Sequence, residues 1–509
     1  MVTFIRYEMA RPDASAMAQA LRGVGYSLAS AIADLVDNSV AAGARNIWID
    51  FHWAGRESWV RVMDDGSGMD EDELFQAMRL GTKNALSQRE PKDLGRFGLG
   101  LKTASFAQCT RLTVASSKAA KLAVWRWDLD HIARVGDWHL LKGAASGSDT
   151  LFEPIRHQDM GTLVLWENLD RVPGVEVYSS KRGEDAFLRA IDDVEAHLAM
   201  VFHRYLEGSP PALRLFINGC DERARVQPWD PFLSGHPATL HRPTERIDTR
   251  CGLVEVKGFV LPHKDRLDGE QYKDAGGPRG WTAQQGFYVY RNRRLLVAGS
   301  WLGLGRPRAW TKEEVHKLAR LRIDIPNSAD AEWGIDIKKS VARPPTELRP
   351  RLTALAEDAR TLARRVFVHR GRYGPAEASP NVARVWRSVE KGKSVAYRVD
   401  RNHPAVREVL EQAGGLGPSV ERMLRIIEET VPFQRIWLDT VEKTDLQPGG
   451  FENAPSGEVR ALVEVLYRDL RSRIGLTAAT AKAQLLNTEP FNRYPELVKG
   501  LPDNTGGDA

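Results

Sequence analysis

The segment AIADLVDNSVAAGARNIWIDF, residues 31 to 51, sets two carboxylates and a carboxamide, Asp34, Asp37 and Asn38, inside an otherwise apolar run. If residues 28 to 42 form a helix, Leu28, Ile32, Leu35 and Val36 share a buried face, and Asp34 and Asn38, four apart, stack on a neighbouring one. A carboxylate that can polarise water, one turn from an amide oxygen that can ligate a hard cation, suits metal-assisted phosphate chemistry. A solvated helix face bearing two acids and an Asn cap fits the segment equally well. Local spacing leaves both open.

Three later segments bear on the choice. In VRVMDDGSGMDEDEL, residues 60 to 74, a short apolar strand runs into Asp64, Asp65, Gly66, Ser67, Gly68 and Met69. A carboxylate at a strand end beside two glycines lets a planar ring approach the backbone while the acid accepts from an exocyclic amine, a geometry suited to adenine. An ordinary Asp-Gly turn is the alternative. The acids that follow read as a helix start, with Asp70 and Glu73 spaced as a capping box. In DLGRFGLGLKTASFA, residues 93 to 107, Gly95, Gly98 and Gly100 precede Leu101, Lys102, Thr103 and Ser105. Such a loop exposes backbone N–H groups, and a helix starting near Leu101 would aim its positive end at a phosphate. The glycine order is neither a dinucleotide fingerprint nor a G-x-x-x-x-G-K-[ST] loop. Finally, MGTLVLWENL opens a strand on Gly161 and Thr162, whose hydroxyl could reach nucleotide or backbone.

The elements that must position these groups are legible as strands: NIWIDFHW, WVRVM, RLTVAS, LAVWRWDL and TLVLW. At 509 residues the chain divides into roughly three domains. A hydrophobic fraction of 42% and a charged fraction of 27% describe an ordinary globular protein, with no apolar stretch long enough to cross a membrane. The N-terminus lacks the layout of a secretory signal, and Cys109, Cys220 and Cys251 lie too far apart for a disulfide framework, so a cytoplasmic location is expected. The formal net charge of +5 permits an anionic partner without requiring one.

In order, DLVDNS, DDGSGM, GRFGLGLKTAS and GTLVLW resemble the four nucleotide-binding boxes of the GHKL ATPases, which include gyrase B, the ninety-kilodalton heat-shock chaperone, histidine kinases, MutL and MORC proteins. The resemblance covers roughly residues 20 to 170. It implies an α+β chain with a Bergerat-fold ATPase domain, a mixed sheet with helices on one face and ATP held under a mobile lid. Carried over by position, Asp34 stands at the general base, Asn38 at the magnesium ligand and Asp64 at the adenine-binding aspartate, with Gly66, Gly68 and Met69 on that wall. Gly95, Gly98, Gly100, Leu101, Lys102 and Thr103 fall on the lid, and Thr162 on the last box; the cofactors implied are ATP and Mg2+. Asp37 is expected to hold the helix or a water network. Two departures stand out. The base in MutL-like and MORC-like members is Glu, one methylene longer than Asp34, so turnover is expected to be slow; the second acidic position of that box is Ala41.

The expected organisation is an ATPase domain over 1–205, an S5-like transducer over 206–345, a helix and linker over 346–380, and a mostly helical C-terminal domain over 381–509. DDVEAHLAMVFHRYL reads as an amphipathic connector on which His203 is structural, and LRLFINGCDERARVQPWDPF resembles the start of the MutL and MORC transducer. In those relatives a transducer lysine reaches the γ-phosphate; EWGIDIKKSVARPP offers Lys338, slightly preferred, and Lys339. Arg291, Arg293, Arg294, Arg306, Arg308, Arg364, Arg365, Arg370 and Arg372, with Tyr290 and Tyr373 adjacent, could meet duplex DNA or present only a solvated face. The function expected is an ATP-gated homodimer acting on DNA, with a chaperone-like clamp on a protein client or operon-encoded partner as the alternative. A histidine kinase is disfavoured because no phosphoacceptor histidine lies among the residues before Asp34. A topoisomerase is disfavoured because no cleavage-associated domain is apparent.

Overall fold

The computed structural model describes residues 12–81, 100–174, 180–330, 332–336, 339, 341–368, 383–391, 394–432, 457–488 and 491–503. The chain forms two compact units, Met1–Gly371 and Arg372–Ala509.

The first unit holds two sheets. Seven strands, β1 (Asn46–His52), β2 (Trp59–Asp64), β3 (Cys109–Lys118), β4 (Lys121–Asp128), β5 (Leu141–Lys142), β6 (Gly161–Leu169) and β7 (Arg214–Ile217), lie in the order β5-β4-β3-β6-β2-β1-β7. All five strand stretches read from the sequence are present. In β1 and β2 alternate residues are buried, which turns Ile47, Ile49, Val60 and Val62 to the helical face. That face is covered by α1 (Ala14–Arg22), α2 (Leu28–Ala41), α3 (Glu71–Met78), α4 (Gly100–Phe106), α5 (Leu129–Val135) and α7 (Lys181–Val201). The opposite face is not bare. Leu163 and Leu165, alternating in β6 with the helix-facing Val164 and Trp166, pack with Ala115, Phe152 and Ile155 under the short α6 (Glu153–Arg156).

The strand β7, which the sequence assigns to the transducer, pairs in parallel with β1 from Asn46↔Arg214 to Ile49↔Ile217. Without it the N–H and C=O groups along the outer side of β1 would form an open edge. The Asn218 side chain extends the closure by accepting from the Phe51 N–H at 2.7 Å.

A short helix, α8 (His203–Leu206), follows α7. The second sheet has β8 (Leu240–Thr249), β9 (Gly252–Val260), β10 (Gly286–Arg291), β11 (Arg294–Ser300) and β12 (Ala319–Ile325), ordered β11-β10-β12-β9-β8, with α9 (Gly269–Ala275) in the β9–β10 connection. Leu321, Ile323 and Ile325 point to α10 (Arg349–Val368), which meets them with Ala356, Ala359 and Ala363. Tyr288 and Tyr290, on the other face, pack with Met200 of α7 and with Phe232. Thus α7 touches both sheets and fixes the second relative to the first.

In the second unit a hairpin of β13 (Trp386–Lys391) and β14 (Ser394–Val399) accompanies helices Pro404–Gln412, Gly417–Glu429, Gly457–Ser472, Ala478–Leu486 and Pro495–Lys499. Val463, Leu466, Leu485, Phe491 and Val498 form its core. Among the described residues no helix is long and apolar enough to cross a membrane.

Candidate functional site

The α2 helix begins at Ser27, whose hydroxyl accepts from the Ser30 N–H at 3.2 Å in a capping box, and it is almost wholly buried, including Asp34, Asp37 and Ser39. Within DLVDNS, Asn38 alone is exposed. Its carboxamide, one turn past Asp34, is a hard oxygen donor of the kind Mg2+ takes. The two ends of this helix serve different surroundings.

At the C-terminal end the Ser39 hydroxyl donates to Asp64 Oδ2 at 2.6 Å, while the Gly66 N–H donates to Asp64 Oδ1 at 2.9 Å. Burial pushes the Asp64 carboxyl above its ordinary value, although the Ser39 hydroxyl and the Gly66 and Thr162 N–H groups pull the other way. The adjacent Asp65 has a separate, structural task. It accepts from the Arg45 and Asn46 N–H groups at 2.7 and 2.9 Å and so ties the β2 end to the start of β1. Gly68 has φ +63°, and a Cβ there would lie 1.9 Å from the Ser117 carbonyl oxygen, so only glycine allows this wall to close on β3. Met69 N–H donates to Ser116 Oγ at 2.8 Å, and Ser116 Oγ lies 2.9 Å from Thr162 Oγ1. The wall is therefore a cradle of backbone and small side chains around one buried carboxylate, which fits adenine.

Near the middle of α2, Asp34 and Asp37 meet cations from the far half of the chain. Lys339 Nζ lies 3.2 Å from Asp34 Oδ1 and 2.6 Å from Asp37 Oδ2. Arg294, the first residue of β11, directs Nε at both Asp37 oxygens, each at 3.1 Å. Burial alone would raise the Asp37 carboxyl, but the Arg294 guanidinium and the Lys339 ammonium hold it below the usual carboxylate range. Tyr26 OH donates to Asp34 Oδ2 at 2.7 Å, and burial together with that carboxylate pushes the phenol well above its ordinary value. Behind Asp34, α4 is anchored by Trp166 Nε1 donating to Ser105 Oγ at 2.8 Å. A Cβ on Gly100 would stand 3.4 Å from Asp34 Oδ2, so the start of α4 faces the carboxylate.

Several expected positions behave differently. Gly95, Gly98 and Lys338 lie outside the described residues, as do Arg370, Arg372 and Tyr373. Lys102, expected on the lid beside the phosphates, is buried and donates to the Ala77 carbonyl at 2.8 Å, in the last turn of α3, where a cation complements the helix dipole. Thr103 is buried and Leu101 half-buried. Arg291, Arg294 and Tyr290 are buried too, Arg291 against Asp330 and Arg294 against Asp37, so they offer nothing to a nucleic-acid surface. Arg293, Arg306, Arg308, Arg364 and Arg365 are exposed. His203 is buried between Glu207 and the Tyr290 hydroxyl, a structural role.

Four contributors are missed by the sequence reading: Tyr26, Ser39, Ser116 and Arg294. Ser39 could have been noticed as the residue after Asn38, one turn beyond Leu35 on the face turned to β2. Arg294 could not, because its partner lies 257 positions away.

Residues 26–162 match the family described as histidine kinase-, DNA gyrase B- and HSP90-like ATPase. The chain is 37% identical over 89 residues to ATPase morc-1 of Caenorhabditis elegans, a match covering 18% of this chain and 10% of that protein. It is 35% identical over 100 residues to the DNA mismatch repair protein MutL of Shewanella denitrificans, covering 19% of this chain and 15% of the relative. A longer match, 34% over 281 residues, joins it to MutL of Pasteurella multocida and covers 53% of this chain and 39% of that one. In each case the matched stretch spans well under half of the relative. Residues 26–162, which hold the buried acid, the glycine wall and the α2 carboxylates, are thus similar to the histidine kinase-, DNA gyrase B- and HSP90-like ATPase domain, and parts of the chain are similar to MORC and MutL proteins.

Proposed function

We propose that the protein binds Mg-ATP across α2 and hydrolyses it with Asp34 as general base, using turnover to open and close a homodimer on duplex DNA. The observation that carries this reading is Lys339, brought from the far half of the chain to within 3.2 Å of Asp34. A carboxylate that takes a proton and an ammonium that meets developing phosphate charge are the two groups the reaction requires.

In this reading Asp64 accepts from the adenine amine and the Gly66–Gly68 wall packs on the ring. Asn38 would hold Mg2+, which would offset negative charge on the phosphates. Asp34 orients a water and takes its proton as the oxygen bonds to the γ-phosphorus and the bond to the β,γ-bridging oxygen breaks, releasing ADP and phosphate. Lys339, with Lys338 as the other candidate, moves to the γ-phosphate and so links the nucleotide to the second sheet. Nucleotide contacts that exist only in the closed arrangement supply the differential affinity that any ligand-driven closure needs. DNA is favoured by the exposed Arg293, Arg306, Arg308, Arg364 and Arg365 and by the likeness to mismatch-repair relatives. A protein partner is the second reading, favoured by Leu416, Met423, Ile426 and Ile427, all exposed on or beside one helix of the second unit.

The test is steady-state ATP hydrolysis with and without duplex DNA at two salt concentrations. Hydrolysis stimulated by DNA and fading at higher salt supports the DNA clamp; hydrolysis indifferent to DNA turns the choice to the protein partner. Asp34→Asn should retain ATP and lose turnover by about 100-fold or more, and unchanged turnover would remove Asp34 from the role of base.

A further inference from the structure

We propose that Arg294 is a positioning residue for the hydrolytic site: the turn between β10 and β11 clamps Asp37 through this guanidinium, and Asp37 in turn sets where Lys339 stands relative to Asp34. The proposal deepens the ATPase reading above and rests on it.

Four charges are enclosed together. Asp34 is 4% exposed, Asp37 1%, Arg294 4% and Lys339 8%. Two carboxylates and two cations balance, and a buried charge is tolerated only under such compensation. The contacts are unequal. Asp37 accepts from both cations, at 3.1 Å from Arg294 Nε and 2.6 Å from Lys339, whereas Asp34 shares only the ammonium, at 3.2 Å. Lys339 is therefore tethered on Asp37 and leans on Asp34. An ammonium in that position can leave Asp34 for a phosphate while keeping its tether, provided Asp37 remains held on its other side.

Arg294 does that holding, and its own place is fixed from the second sheet. Asn292 and Arg293 adopt φ +48° and +67°, the left-handed pair of a tight hairpin turn, which throws Arg294 back toward α2. The turn is pinned to α8: the Tyr205 hydroxyl donates to the Asn292 carbonyl and Arg293 donates to the Arg204 carbonyl. Asn292 Nδ2 also donates to Asn327 Oδ1 at 3.0 Å, beyond the end of β12. Arg294 Nη1 donates to the Leu295 carbonyl at 2.8 Å, which locks the guanidinium with Nε toward Asp37. A shift of the hairpin against α2 thus changes the charge seen by Asp37 and, through it, the position of Lys339. Without Arg294, two carboxylates compete for one ammonium and hold it back from the nucleotide.

The experiment compares kcat, KM and nucleotide affinity for the full chain and for Arg294→Met, Arg294→Lys, Asp37→Asn and the charge-balanced double variant Asp37→Asn/Arg294→Met, with thermal melts on all of them. Arg294→Met is expected to lower kcat about tenfold or more while KM stays within about threefold. Arg294→Lys recovers part of the loss, because a point charge can still meet Asp37 without reaching both oxygens. In the double variant the arginine change adds nothing to Asp37→Asn, since its action passes through that carboxylate. Unchanged kcat in Arg294→Met, or losses that simply add in the double variant, overturns the proposal. If Arg294→Met fails to fold, the double variant and Arg294→Lys carry the same comparison. A parent chain that binds ATP but never hydrolyses it removes the ATPase reading and this proposal together; an active parent with an indifferent Arg294→Met removes only the clamp.

Discussion

Two buried aspartates, Asp64 against the C-terminal end of α2 and Asp37 near its middle, are served in different ways. Asp64, the proposed adenine partner, is served by Ser39, Gly66 and Thr162 from the one sheet and its helix, and burial pushes its carboxyl up. Asp37, beside the proposed general base, is served by Arg294 and Lys339, 257 and 302 positions away, and their charge holds its carboxyl down. Neutral donors, in the first case, leave a carboxylate that still wants one more partner, a good state for recognising a ligand amine. The second carboxylate is already neutralised by two buried cations, a good state for registering where another part of the chain lies. The contacts of Asp64 are local, and those of Asp37 are assembled from distant parts of the chain.

The largest test of that contrast is Asp64→Asn. The amide keeps the shape and can still accept from the Gly66 and Thr162 N–H groups, but it points a donor where the adenine amine donates. Loss of adenine nucleotide affinity by about 100-fold or more is expected with little change in melting temperature, measured by calorimetry or displacement of a fluorescent analogue. Affinity retained within a few-fold would move adenine recognition away from Asp64. Lys339→Met should do the converse and lower kcat by about 10- to 100-fold with a much smaller change in affinity. Equal loss of both would mean that the ammonium binds nucleotide uniformly and does not act in the reaction.

Much of the surroundings of Asp64 is legible in the sequence because it is built from short spacings. Asp64 precedes Gly66 by two residues, and the capping box at Asp70 and Glu73 was readable from a three-residue interval. The strands were readable for the same reason, since alternation has period two in β1 and β2. What spacing could not give was pairing over distance. Arg294 and Arg291 looked like a basic surface patch in RNRRLL, yet each is buried against a carboxylate on another element. The strand β7 looked like the start of the next module because a short apolar strand carries no mark of the sheet it will join. Lys102, next to a glycine-rich loop, looked like a phosphate ligand, and only the fold shows that the end of α3 reaches its ammonium first.

A smaller effect follows from the raised Asp64 carboxyl. If Asp64 accepts from the adenine amine as proposed, nucleotide takes its ionised form, and binding expels a proton whenever the free protein holds one. As pH falls from neutral toward the ordinary value of 3.8, ATP affinity should begin to weaken while free carboxylates are still ionised. The stability of the unliganded protein carries the opposite sign. A folded-state value raised above the unfolded one contributes stability that is present below 3.8 and is lost as pH rises through the folded value. Affinity and melting temperature measured across that range should therefore diverge, and Asp64→Asn should abolish the melting component. Parallel curves would mean that other groups dominate both.

The smallest effect, and the one that best isolates a single contact, is Ser39→Ala. The hydroxyl donates to Asp64 Oδ2 at 2.6 Å and is among the forces holding that carboxyl down against burial. A hydrogen bond to a charged group contributes about 1.5 to 3 kcal/mol, and part of this is recovered when adenine supplies its own donor nearby. The net loss of ATP affinity at neutral pH should then be about tenfold or less, with kcat unchanged because Ser39 touches none of the four charges of the Asp34, Asp37, Arg294 and Lys339 cluster. Removing the donor also raises the Asp64 carboxyl further, so the weakening of affinity in acid should set in at higher pH than in the parent chain. A loss of affinity that is the same at every pH would show that Ser39 acts by filling space beside the ring, and the electrostatic account of Asp64 would have to be replaced by a steric one.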